Sequence, residues 1–264
     1  MIDSQSNLLS KTGFYSGIGG VHTARTMMLE DLKMLLNYVQ NPEAEKEEYL
    51  NAIIEDNCLN KRSHQTRKLS ANHLVSLYIL DPSVTLFRAF RFFWARDSHS
   101  IPLISLLCTY CRDGILRMCS SFVFELQQGQ CITREYTENF IKNKVGSRFS
   151  PATLKSVAQN INSTFTKSGH FEGRIKKCRQ RAQASAGSVA FALLLGYLTG
   201  ARGLSLFETE YVKLLDCSTD EAIDLAEKAS QSGWITFKRV GDIIEVLFPR
   251  LLNEKELEWV REQS

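Results

Sequence analysis

Proline and glycine are scarce, at five and fifteen in 264 residues. That favours helices joined by short connections over a fold of many strands and turns. No apolar run reaches the ~20 residues that span a bilayer as a helix. The nearest, residues 186–199 (AGSVAFALLLGYLT), is interrupted by Gly187, Ser188, Gly196 and Thr199, so it reads as a buried core helix and no membrane insertion is expected. The start, MIDSQSNLLSKTG, is polar and lacks the apolar segment of a secretory signal. Seven cysteines, at 58, 108, 111, 119, 131, 178 and 217, are odd in number and irregularly spaced, which reads as a reduced, intracellular protein. Catalytic signatures are also missing. Gly17, Gly19 and Gly20 lie in FYSGIGGV, but no Lys-Ser/Thr follows them, so this is a loop before a helix cap rather than a phosphate cradle. The five histidines (22, 64, 73, 99, 170) form no nucleophile–base pattern, and no nuclease or methyltransferase carboxylate cluster occurs. Cys108 and Cys111 form a CxxC with Cys119 and Cys131 downstream and His99 upstream. Three of those thiols share one apolar helix pattern, which suits buried free cysteines better than a tetrahedral zinc set. The expectation is a protein with no enzymatic activity, no metal and no cofactor.

What is present is an uneven distribution of charge. Hydrophobic residues make up 44% of the chain, enough to bury a core, and the length fits one large or two medium domains. The net charge is only +3. By segment, residues 1–56 carry −5, residues 57–141 carry +4, residues 142–181 carry +9 with Glu172 the one acid, and residues 182–264 carry −5. A basic block of that density is the footprint of a nucleic-acid binder, although a solvated basic surface gives the same pattern.

Apolar periodicity predicts helices over 23–39, 46–56, 64–80, 84–96 and 101–126, with Asn41-Pro42 and Asp81-Pro82 as stops. A β signal occurs only near the end, where 234–240 and 243–248 flank Gly241-Asp242 as a hairpin after a helix at 219–231. Offsetting the chain by 87 residues aligns 47–79 with 134–166. Identities fall at Glu48/Glu135, Tyr49/Tyr136, Ile54/Ile141, Ser63/Ser150, Thr66/Thr153, Lys68/Lys155, Ala71/Ala158 and Ser76/Ser163. Each copy reads as helix, turn, helix, with Ser63 and Ser150 as N-caps and Pro151 at a first helical position. In the second copy Leu154, Val157, Ala158, Ile161 and Phe165 share one face. Thr153, Lys155, Ser156, Gln159, Asn160 and Asn162 lie toward the others, as donors for phosphates and base edges. The candidate contacts are Lys61, Arg62, His64, Gln65, Thr66, Arg67, Lys68 and Asn72 in the first copy. In and after the second they are Arg148, Ser150, Thr153, Lys155, Gln159, Lys176, Lys177 and Arg179, and on the C-terminal hairpin Lys238 and Arg239. A third helix-turn-helix at 205–231 carries Asp220, Glu221, Asp224 and Glu227; those acids repel phosphate, so this unit is expected to pack or to bind protein.

The expected architecture is mainly α, a helical protein with repeated helix-turn-helix units and a C-terminal winged-helix-like β-hairpin. Residues 1–128 are read as an N-terminal helical domain with the first helix-turn-helix at 47–80. Residues 129–264 are read as a C-terminal helical domain with the second at 134–168 and the winged end at 205–250. The segments IIEDNCLNKRSHQTRKLSANHL and RFSPATLKSVAQNINSTFTKSGHF, with SVAFALLLGYL and the hairpin, resemble the BrxA family, small components of bacteriophage-exclusion (BREX) defence systems. The resemblance runs from about Gly13 to Phe248 and rests on diffuse patterns rather than on a catalytic signature. It implies a bacterial cytoplasmic protein that binds double-stranded DNA and works beside a methyltransferase, an ATPase and other BREX components. A protein-interaction scaffold and an RNA-binding helical domain are the competing readings. No aromatic platform for stacked bases stands in the basic block beyond Phe149, Phe165 and Phe171, which disfavours RNA.

Overall fold

The computed structural model describes residues 9–241 and 243–261. The chain is mainly α. Its helices are α1 (Leu29–Tyr38), α2 (Lys46–Ile54), α3 (His64–Tyr78), α4 (Thr85–Trp94), α5 (Ile101–Arg112), α6 (Gly114–Glu125), α7 (Arg134–Val145), α8 (Pro151–Lys167), α9 (Ala186–Leu198), α10 (Glu210–Lys213), α11 (Thr219–Gln231) and α12 (Glu254–Arg261). Strands β1 (Cys131–Ile132), β2 (Phe171–Glu172) and β3 (Lys177–Arg179) form one small antiparallel sheet in the order β1-β3-β2, and β4 (Thr236–Val240) pairs with β5 (Ile243–Leu247) in another. Among the described residues no helix is long and apolar enough to cross a membrane.

Two compact units form, and each is discontinuous in sequence. The basic unit comprises Tyr15–Ser83 and Cys108–Arg181; the other comprises the segment ending at Phe14, Val84–Leu107 and the chain from Ala182 onward. The expected boundary near residue 128 therefore falls inside the basic unit. Charge divides with the units: the basic one holds twenty Lys and Arg against fourteen acids, the other twelve against fifteen.

Two expected helices are corrected. The run 101–126 is two helices, because Asp113 breaks it by accepting the Ile115 and Leu116 amides at 3.0 Å each as the N-cap of α6. Helix α1 begins at Leu29 rather than at 23, because Met28 adopts a left-handed φ of 50° that a right-handed helix does not continue through.

In the basic unit the two sequence repeats fold alike where their second helices begin. Ser63 Oγ accepts the Thr66 amide at 3.2 Å and lies 2.9 Å from Thr66 Oγ1. Ser150 repeats both distances with Thr153. Equivalent positions along α3 and α8 are equally buried: Ala71 with Ala158, Leu74 with Ile161, and Tyr78 with Phe165 are all inaccessible. The first helices are not equivalent. Tyr49 is fully buried, whereas its sequence counterpart Tyr136 is 41% exposed. Helix α2 ends at Ile54 and a nine-residue connection with left-handed Asn57 and Asn60 follows it; α7 runs on to Val145 and leaves five residues before α8.

The second copy is more than a helix-turn-helix. Helix α6, strand β1, helices α7 and α8, and the β2–β3 hairpin succeed one another in the order of a winged helix, with a sheet order that places the last strand between the other two. Phe122 of α6 holds it together, its ring 5.1–6.3 Å from those of Tyr136, Phe140, Phe165 and Phe171. The sequence pattern places a hairpin only at the C-terminus; strands of two and three residues are too short for an alternation to be seen. The C-terminal hairpin is present too, with Thr236 opposite Leu247 and Val240 opposite Ile243.

Cysteine pairing is the other correction. Cys131 and Cys178 are directly opposed on β1 and β3 and form a disulfide, so the expectation of seven reduced thiols does not hold. Cys108, Cys111 and Cys119 take no part in a disulfide and are buried in α5 and α6, and desolvation pushes the Cys108 and Cys119 thiols up to about 12, far from a reactive thiolate.

Candidate nucleic-acid interface

The winged helix presents its cations on two elements. On α8, Lys155 is exposed one turn after the Ser150–Thr153 cap and Gln159 is exposed at mid-helix. Arg148, in the preceding turn, is exposed, donates to the Ile18 carbonyl at 3.2 Å and lies over the Phe149 ring at 5.3 Å. In the β2–β3 turn, Arg174, Ile175 and Lys176 are all exposed, Ile175 at 87%. Between α8 and this turn lies a cleft of about 540 Å³ whose walls include Gln159, Ser163, Arg174 and Lys176. Arg134 and Glu135 at the start of α7 line it as well and are paired with each other at 2.7 Å.

Two of the expected contacts in this region are used internally. Arg179 is 7% exposed, and its guanidinium donates to the Val123 carbonyl at 2.9 Å and to the carbonyls of His170 and Gln180. It ties α6 to the sheet and is withdrawn from the surface. Lys177 is half-buried, with its ammonium on the Gly173 carbonyl at 2.6 Å; desolvation lowers its pKa. It closes the turn rather than standing out from it. Asn160 and Asn162, read as donors on an open face, also point inward. Asn160 donates to the His22 carbonyl at 3.0 Å, and Asn162 is 4% exposed and accepts from Thr137 at 2.9 Å.

The first copy lies in the same unit. Arg62, His64, Gln65, Lys68 and Asn72 are exposed around the start and outer face of α3. Lys61 is paired with Asp31 at 2.7 Å, and Arg67 donates to the Ile54 carbonyl at 3.0 Å, bracing the end of α2 against α3. Thr66 is half-buried in the cap. Lys238 and Arg239 belong to the other unit. Lys238 pairs with Glu245 across the C-terminal hairpin at 3.2 Å and Arg239 bonds the Gly241 carbonyl. Helix α11 before them presents exposed Asp220, Asp224 and Glu227.

A buried chain of polar groups underlies the interface. Asp113 Oδ2 accepts the His22 backbone amide at 3.0 Å and His22 Nδ1 at 2.9 Å. His22 Nε2 lies 2.8 Å from the Thr164 hydroxyl, which also accepts the Met27 amide at 3.0 Å. With Nδ1–H donating to the carboxylate, Nε2 remains to accept the Thr164 O–H, so the assignment uses each proton once. Burial alone raises the Asp113 pKa, but the hydrogen bonds donated by the His22 ring and backbone and by the Leu116 amide outweigh it and hold the carboxyl below its ordinary value. The residue types are those of a nucleophile–base–acid triad, yet His22, Asp113 and Thr164 are all at 0% exposure. Their hydrogen bonds join the loop at 20–23 to α6 and α8. The glycine motif serves the same junction: a Cβ on Gly20 would sit 2.0 Å from an Asp113 oxygen, and one on Gly114 would sit 2.1 Å from the Gly17 carbonyl. Sequence reading misses this network because its members are 91 and 142 residues apart. It passes over Arg174 and Ile175 because nothing local marks 173–176 as a hairpin turn. Among the described residues no group of three His, Cys, Asp or Glu is placed to hold a metal ion.

Compared with models of known protein families and with curated proteins, the chain matches none.

Proposed function

We propose that the chain is a non-catalytic protein that binds double-stranded DNA through the winged helix of its basic unit, with α8 as the helix that enters the major groove. One observation carries this reading: the helix and the wing of a single winged helix both present exposed cations, in the unit that holds the chain's excess of positive charge. In winged and helix-turn-helix proteins the second helix meets base edges in the major groove, and cations around it fix the register on phosphates. Lys155 and Gln159 then face the groove, and Arg148 and Lys176 face the backbone. The first copy adds Arg62 and Lys68 as further phosphate contacts. By its resemblance to the BrxA family, the DNA-binding role belongs to a bacterial phage-defence system of the BREX type, beside its methyltransferase and ATPase.

Duplex binding is expected to weaken steeply with salt, because each neutralised phosphate releases counterions. Reversing Lys155 and Lys176 to Glu should lower the slope of log K against log salt by about 0.9 for each phosphate no longer neutralised, and weaken binding to every sequence. Arg62→Glu with Lys68→Glu should do so to a smaller extent. Asp224→Ser with Glu227→Ser, on the acidic helix of the other unit, should leave binding unchanged or improved. Fluorescence anisotropy across a salt series, with thermal melts to show that the variants fold, measures all three. A duplex affinity indifferent to salt, or a loss of binding confined to the Asp224/Glu227 variant, overturns the assignment.

A further inference from the structure

The tip of the basic wing carries an apolar side chain where solubility alone would place a polar one. Ile175 is 87% exposed between exposed Arg174 and Lys176. A single exposed isoleucine is ordinary on a protein surface; what sets this one apart is the stiffness of its mounting. Gly173 adopts φ 93°, and a Cβ there would lie 2.4 Å from the Lys176 carbonyl, so the turn closes tightly on itself. The Lys177 ammonium holds the Gly173 carbonyl, Gln180 bonds Glu172 at 2.8 Å across the hairpin, and the Cys131–Cys178 disulfide anchors its base to β1. A flexible loop would lose entropy on ordering at a partner; this tip is already ordered.

Resting on the DNA-binding reading above, we propose that the wing tip enters the minor groove of A·T-rich duplex, with Arg174 and Ile175 as the inserted pair. The chemistry of that groove fits both side chains. It is too narrow, at roughly 6 Å, for a hairpin but wide enough for the side chains at its tip. A·T tracts narrow it further and deepen its negative potential, which draws a guanidinium in. Its floor at A·T pairs carries only acceptors, whereas G·C pairs add a protruding amino group that an isoleucine would strike. Apolar side chains beside cations are the recurrent means by which minor-groove proteins wedge at base steps. Arg174 is thereby a specificity-determining residue, and Lys176 is left on the flanking phosphates.

The test is equilibrium binding of the full chain to A·T-rich and G·C-rich duplexes of one length at one salt concentration, with netropsin, which occupies the A·T minor groove, as competitor. The wild-type chain should bind the A·T-rich duplex several-fold more tightly and be displaced from it by netropsin. Arg174→Lys keeps the charge and should retain affinity for the G·C-rich duplex while losing the preference, and Ile175→Ser should reduce the preference without changing the salt slope. Equal affinity for the two duplexes, or a preference unchanged in both variants, overturns the wing assignment and leaves DNA binding standing. Failure to bind either duplex at any salt removes the DNA-binding reading and this one with it.

Discussion

Asp113→Ala should destabilise the basic unit by several kcal/mol, at about 1–3 kcal/mol for each buried donor left without an acceptor. The substitution strands the His22 backbone amide, His22 Nδ1–H and the amides of Ile115 and Leu116, all of which the carboxylate now accepts. Domains of this kind are stable by only about 5–15 kcal/mol in total, so the variant should melt far below the wild-type chain. The acid dependence has a definite sign. The folded-state pKa of Asp113 is depressed, so its contribution is fully present above the unfolded carboxylate value of about 3.9. The contribution is lost as pH falls through the lower native value. Urea melts of both proteins should therefore show a constant gap from neutral pH down to mild acid and a closing gap below it. A variant within about 1 kcal/mol of wild type, close to the error of such melts, would mean that the network is not what joins the loop at 20–23 to α6 and α8.

The second large effect belongs to Phe122. Its ring is fully buried against four aromatic rings from α7, α8 and β2, and truncating such a phenylalanine to alanine costs about 3–5 kcal/mol in transfer and cavity terms. Phe122→Ala should unfold the winged helix and abolish duplex binding together, although residue 122 lies inside the core and touches no ligand. Phe122→Leu keeps much of the volume, and should retain both fold and binding with a smaller loss of stability. Denaturant melts and anisotropy on the same samples separate the two; a Phe122→Ala chain as stable as wild type would show that this aromatic cluster is not the core of the unit.

What is legible in the sequence follows from local signals. Ser150-Pro151 with a threonine three residues on announces the start of α8, and the same serine–threonine spacing at 63 and 66 announces α3. The apolar spacing of Leu154, Val157, Ala158, Ile161 and Phe165 identifies the inner face of α8; the last four are inaccessible, and Leu154, in the first turn, is half-buried. What stays hidden depends on residues far apart. Asp113-Gly114 reads as two residues in an apolar run until the loop of Gly17 and Gly20 arrives to pack on them. Arg179 sits in a basic block like any surface cation, and only the carbonyl of Val123, 56 residues earlier, turns it inward. Asn162 carries a donor side chain on a helix rich in donors, and the partner that buries it, Thr137, is on the preceding helix.

The Cys131–Cys178 bond makes the wing a place where the backbone can be cut without the molecule coming apart. The bond spans 47 residues and, on a chain-entropy argument, restricts the unfolded state by about 4 kcal/mol. It also encloses the exposed Arg174 and Lys176 peptide bonds, which are trypsin's natural targets. Limited trypsin treatment at this turn should therefore yield a nicked species that migrates at full mass without reductant and falls into two fragments when a thiol is added. Fragments that separate without reductant would show the bond to be absent. Bound duplex covering the tip should slow the nick, so the same covalent clasp that stiffens the hairpin also turns it into a footprinting reporter for whatever occupies it.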